Sequence, residues 1–113
     1  MRDGFFPGFM IFFWLLVSHV VMDFWAQSDA LAMLKNRHKN TTGRLPWYYA
    51  LFAHSLMHGA GVTYITGNII LGLIETVAHW SIDFSKCEGW IDIHIDQGLH
   101  VACKMLYFVW LTS

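Results

Sequence analysis

Nine side chains of the types that bind metal ions or move protons recur at one spacing. His19 and Asp23, His54 and His58, the triple Glu75, His79 and Asp83, and Asp96 and His100 are each set four residues apart. Residues four apart share one face of a helix. Four segments therefore each offer a pair or triple of such groups, imidazoles and carboxylates together, to a common centre. That donor mixture suits a divalent transition metal, zinc first, with iron, manganese or nickel also accommodated. The carboxylates would offset the charge of one or two ions, and the remaining acids would accept from the outer nitrogens of the histidines. A water on such an ion is deprotonated near neutral pH and can attack an ester or phosphoester. The expected metal ligands are His19, Asp23, His54, His58, His79, Asp83, Asp96 and His100, with Glu75 or Asp83 as catalytic base. The plainer alternative is a hydrogen-bonded polar core without an ion. A third is a relay that conducts protons or metal ions.

These residues have to be positioned by something, and composition suggests what. The chain has 113 residues, enough for one domain spanning 1–113. Hydrophobic residues make up 56% and charged residues 13%, against about 25% charged in ordinary soluble domains. So few charges cannot cover a small globular surface, and the expectation is an all-α polytopic membrane protein. Its fold would be a four-transmembrane-helix antiparallel bundle with a polar intramembrane site. The expected spans are 5–27, 47–66, 69–86 and 91–111, each near the roughly 20 residues a span needs. Pro7 and Pro46 suit first helical turns. Gly67-Asn68 is a turn signal that folds the second and third spans into a hairpin. Gly59-Ala60-Gly61 permits close helix approach. At a rise of about 1.5 Å per residue, the polar groups all fall within one slab of roughly 10 Å.

The polar segment 28–46 carries Lys35, Arg37, His38, Lys39 and Arg44. By the positive-inside rule it is a cytoplasmic loop, which places both termini on the non-cytoplasmic side. Arg2 is a weak contrary signal, offset by Asp3. The start of the chain lacks the small-residue cleavage motif of a signal peptide. Ser28 or Asp29 can cap a short helix over 30–34, and Thr41-Thr42-Gly43 reads as a turn.

Gln27, Lys86, Gln97 and Lys104 are candidates for supporting the ligands or touching substrate. Lys104 is placed to pair with Glu75. Lys86 reads first as an interfacial anchor. His38 reads as a solvated loop residue, and His94 lies off the polar stripe. Cys87 and Cys103 form no metal or redox spacing. A net charge of -1 gives no basic field for nucleic acid. Membrane lipids are the expected partners, and a homo-oligomer is compatible with four short spans.

The segments His19-Val-Val-Met-Asp23-Phe-Trp-Ala-Gln27, His54-Ser-Leu-Met-His58-Gly, Glu75-Thr-Val-Ala-His79-Trp-Ser-Ile-Asp83-Phe-Ser-Lys86 and Asp96-Gln97-Gly-Leu-His100 resemble the DUF3307 family. The likeness runs from about Leu15 to Trp110. It implies a small integral membrane protein of a bacterium or phage, hence the bacterial inner membrane, and it implies no reaction. Three functions follow as expectations. The first is a metal-dependent hydrolase acting on a lipid or phosphoester from the cytoplasmic side. The second is a proton or metal-ion transporter or channel. The third is a structural or regulatory membrane factor with a hydrogen-bonded polar core.

Overall fold

A computed structural model describes residues 6–25, 27–41 and 45–113. Helix α1, Ile11–Val20, follows a 3-10 turn, Gly8–Met10, behind Pro7, and continues as a π-helical turn, Val21–Trp25. The short α2, Asp29–Leu34, starts where the Ser28 hydroxyl accepts from the Leu31 N–H at 3.1 Å. Helices α3, Trp47–Thr66, and α4, Ile69–Cys87, form a hairpin. Gly67 ends α3 in the left-handed region at φ 69°, a conformation that costs glycine nothing. The Asn68 side chain then caps α4 by accepting from the Ile70 and Leu71 N–H groups. Asp92 caps α5, Ile93–Thr112, by accepting from the Ile95 N–H at 2.8 Å.

The α3–α4 hairpin is held very close. A Cβ on Gly59 would lie 2.6 Å from the Gly72 carbonyl oxygen, and one on Gly72 would lie 2.7 Å from that of Gly59. Two glycines face each other, and no side chain fits between them. Helix α1 packs on α3 and α5, and α4 packs on α5, so the four long helices close a ring with α2 beside α3. At one end of the ring Ile11, Leu15, Val62, Ile65, Leu71 and Tyr107 form an apolar cluster. Apart from Ala50 and Leu51, the other buried side chains among the described residues are polar. Among the described residues fifteen polar or charged side chains are buried, against eight apolar ones. Large apolar side chains such as Phe13, Ile70, Val77, Leu106 and Trp110 face outward.

The structure corrects the expectation of four transmembrane spans around an intramembrane site. Among the described residues it is an all-α fold of five α-helices with extents of 45 × 24 × 22 Å. Among the described residues only Gly8–Trp25, with a mean hydropathy of 1.7, is long and apolar enough to cross a membrane, and a core helix passes the same test. In α4 and α5 the residues that build the polar interior lower the hydropathy. Helix α3 is diluted by His54, Ser55, His58 and its glycines. The inner-membrane location loses its basis with the spans. So does the topology with segment 28–46 cytoplasmic and both termini outside, since Lys35 and Asn36 of that segment are buried in the fold. The turn at Thr42-Gly43, Arg44, Arg2, Asp3 and the beginning of the first expected span at Phe5 lie outside the described residues.

Candidate metal centre

Each face of the ring contributes part of one buried cluster. Asp23 comes from the π turn after α1, a wider turn that recurs at functional sites. His54 and His58 come from α3, His79 from α4 and His100 from α5. His19, from α1, lies on the same side as His100, with ring centroids 5.0 Å apart. All six are buried, and His79 is fully enclosed. His58 stacks on His79 with centroids 3.7 Å apart, and His79 on His100 at 4.2 Å.

Asp23 Oδ1 is the point of convergence. The Nε2 atoms of His54, His58 and His79 lie 3.2, 3.3 and 3.9 Å from it. These four residues can each offer one ligand atom, all within 4.8 Å of one another, and so can the group His19, His79 and His100. The buried cluster is able to coordinate a metal ion. Several of its nitrogens, His58 Nε2 and both of His79 among them, have no aligned hydrogen-bond partner among the described residues. Burial pushes His58 down to about 4 and His79 to about 2. Both rings are therefore neutral near pH 7, with a lone pair available.

The remaining predicted residues surround this cluster. Gln97 donates to Asp23 Oδ2 at 2.8 Å and to Asp96 Oδ2 at 3.0 Å, and its carbonyl lies 2.9 Å from His19 Nε2. Two acceptors fix the amide with its nitrogen toward the carboxylates. His19 Nε2 must then carry the proton, leaving Nδ1 as the free lone pair. Glu75 accepts from Lys104 at 2.8 Å and from Tyr107 at 2.9 Å, and its Oε2 lies 3.3 Å from His79 Nδ1. Burial alone would raise the Glu75 carboxyl, but the His79 contact and the Lys104 ammonium bring it down to about 2. Asp83 and Asp96 stand outside both ligand groups. Asp83 Oδ2 lies 3.7 Å from His54 Nε2, and Asp96 Oδ1 lies 3.3 Å from His100 Nε2.

The DUF3307 family model, whose description is a protein of unknown function, matches residues 11–113. The chain belongs to the DUF3307 family. No curated protein and no solved structure matches it. The residues that carry a DUF3307 chemistry therefore have to be read from the geometry.

That geometry includes two residues that spacing did not reveal. Lys35, read as part of a solvated basic loop, is buried and donates to Asp83 Oδ2 at 2.6 Å. Tyr107 completes the Glu75 triad. It lies three residues beyond Lys104 on the same helix face, a signal that was present in the sequence. Lys86 is partly exposed, 3.5 Å from Asp83 Oδ1. The Oε1 of Gln27 is enclosed without a partner among the described residues. His94 is exposed. His38 is exposed too, but it binds Glu88 alongside Arg37, whose Nε donates to Glu88 at 2.8 Å. Cys87 and Cys103 are free thiols.

Proposed function

We propose that this chain is a metal-binding helical protein whose polar interior is closed by one divalent transition ion, zinc first, held by Asp23, His54, His58 and His79. The observation that carries the reading is the convergence of three Nε2 atoms on Asp23 Oδ1 at 3.2, 3.3 and 3.9 Å. A tetrahedral ion with bonds of about 2.1 Å holds its ligands about 3.4 Å apart. The His54 and His58 distances to Asp23 Oδ1 are near that spacing, and all four ligand atoms lie within 4.8 Å of one another, so binding draws the set inward without moving a helix. Iron, manganese and nickel share the donor preference and are the alternatives to zinc.

Charge supports a single ion. Among the described residues the buried acids are Asp23, Glu75, Asp83 and Asp96, against the buried lysines Lys35 and Lys104. Four negative and two positive charges leave two negative charges when the histidines are neutral. One divalent ion cancels them, and two would overshoot. Uncompensated charge in such an interior is costly. The group His19, His79 and His100 shares His79 with the first. It is read as an alternative position of the same ion.

Four protein ligands close a tetrahedral site and leave no position for a reacting water. This supports a structural or regulatory centre over a hydrolase for lipids or phosphoesters. Both candidate bases, Glu75 and Asp83, are also engaged by lysines. A second reading, a hydrogen-bonded polar core that needs no ion, is favoured by the Gln97 amide, which joins Asp23, Asp96 and His19.

Elemental analysis of the purified protein separates these readings, beside His58→Ala and Asp23→Asn. About one equivalent of a transition metal is expected in the parent and its loss in both variants. A folded parent without metal, unchanged by added divalent ions, replaces the metal reading with the hydrogen-bonded core.

A further inference from the structure

We propose that Asp83 is a second cation position beside the metal centre, the landing point of an incoming divalent ion, and that the Lys35 ammonium occupies it until the ion displaces it. The inference rests on the metal reading above. Asp83 Oδ2 faces three groups. Lys35 Nζ is at 2.6 Å, His54 Nε2 at 3.7 Å and His79 Nε2 at 3.9 Å. Those two imidazole atoms are also the ones that face Asp23 Oδ1, at 3.2 and 3.9 Å. A cation at Asp83 is thus one ligand exchange away from the centre. The position is built for a cation, because a cation of the chain itself sits in it. The enclosed His79 Nε2, without an aligned partner, points the same way.

The chain supplies Lys35 from a segment that can leave. Residues 28–41 hold the six-residue α2 and the turns after it, laid over this end of the ring. Beyond Lys35, a clasp fastens the segment, in which the half-exposed Arg37 and His38 hold the largely covered Glu88 carboxylate on the link between α4 and α5. Both cationic partners are open to solvent, which screens such a pair, so the clasp opens more readily than the packed four-helix ring. Withdrawing Lys35 alone would strand a buried carboxylate, which is costly. An arriving divalent ion replaces the lost positive charge as it lands, and the two cations exchange at one oxygen. The ion then passes to Asp23, His54, His58 and His79, and Lys35 returns to Asp83. Lys86, at 3.5 Å from Asp83 Oδ1, supports the carboxylate during the exchange.

Uptake of cobalt(II) by the metal-stripped protein, followed by the visible absorption of the tetrahedral ion, tests this. Lys35→Met keeps the length and removes the charge, and Lys86 remains to support Asp83. This variant is expected to load about tenfold faster than the parent and to reach the same final spectrum. Glu88→Gln, which touches no buried group, is expected to load several-fold faster by loosening the clasp. Loading of both variants at the parent rate overturns the proposal. A parent that takes up no cobalt overturns the metal reading instead. The landing position then fails with it, and the Lys35 cover is judged without metal by modification of His54 and His79 with diethyl pyrocarbonate. Faster modification in Lys35→Met upholds the cover, and equal rates overturn it.

Discussion

Glu75 touches the proposed ion only through His79, and its value lies in what it does to that ring. A carboxylate 3.3 Å from Nδ1 favours the tautomer with the proton there by its charge, which leaves Nε2 free to bind. Outer partners of this type are worth about 10- to 100-fold in metal affinity. Glu75→Gln is therefore expected to weaken binding by that factor with stoichiometry unchanged, as read by competition against a chromophoric chelator. An unchanged affinity would remove Glu75 from the centre. Its partner carries a different load. Lys104→Met leaves Glu75 buried without its counter-charge, which costs about 3–5 kcal/mol. Glu75→Gln in the same chain should recover much of that loss in denaturant melts. The pairing of Lys104 with Glu75 was legible, because both were placed toward the same inner end of the polar column. Lys35 was not. A run of basic residues between helices defaults to solvent, and nothing local marks which one of them turns inward.

At the scale of the helices, the hairpin fixes the register of the site. Gly59 and Gly72 meet backbone to backbone, one residue after His58 and three before Glu75. Gly72→Ala must push α3 and α4 apart. It is expected to destabilise the fold by about 1–3 kcal/mol and to weaken metal binding with it. Gly98, on α5, has open space around its Cβ position, so Gly98→Ala is expected to stabilise by roughly 0.5–1 kcal/mol. Equal effects of the two substitutions would refute the close approach. The clasp predicts a pH response. Arg37 first, and then His38, hold the Glu88 carboxyl below its ordinary 4.5. A lowered folded value means that the clasp contributes above about pH 4.5 and is lost as pH falls through the lowered value. Amide exchange over 29–41, corrected for intrinsic rates, should accelerate across that window, and Glu88→Gln should abolish the step. Helix ends were readable at Ser28, Pro46 and Gly67-Asn68, which are strong local signals, whereas Asp92, the cap of α5, fell inside the expected span 91–111. The π turn at 21–25 was not, since no residue type announces an i to i+5 turn.

For the molecule as a whole, composition carries the wrong message about where charges go. Few charges in an apolar chain read as a bilayer protein, but the count says nothing of which side chains the fold encloses. Here, among the described residues, four acids and two lysines are inside, and the buried acids thin the hydropathy of the helices that were expected to span. The spacing rule survived this because it depends only on which residues share a helix face. On the proposed reading, an interior with more buried acids than lysines makes stability depend on the ion. Binding to the folded state alone adds RT ln(1 + [L]/Kd), about 2.7 kcal/mol at a hundredfold excess over Kd. For a domain near this size that raises the melting temperature on the order of 10 °C. Zinc titrated into the metal-stripped protein should produce that rise, and a chelator should reverse it. Asp23→Asn removes both a ligand oxygen and one of the two unbalanced charges, so its melt should be nearly indifferent to zinc. A parent whose melt ignores zinc and chelator alike would mean that the histidines, Gln97 and the two lysine pairs hold the interior by hydrogen bonding alone.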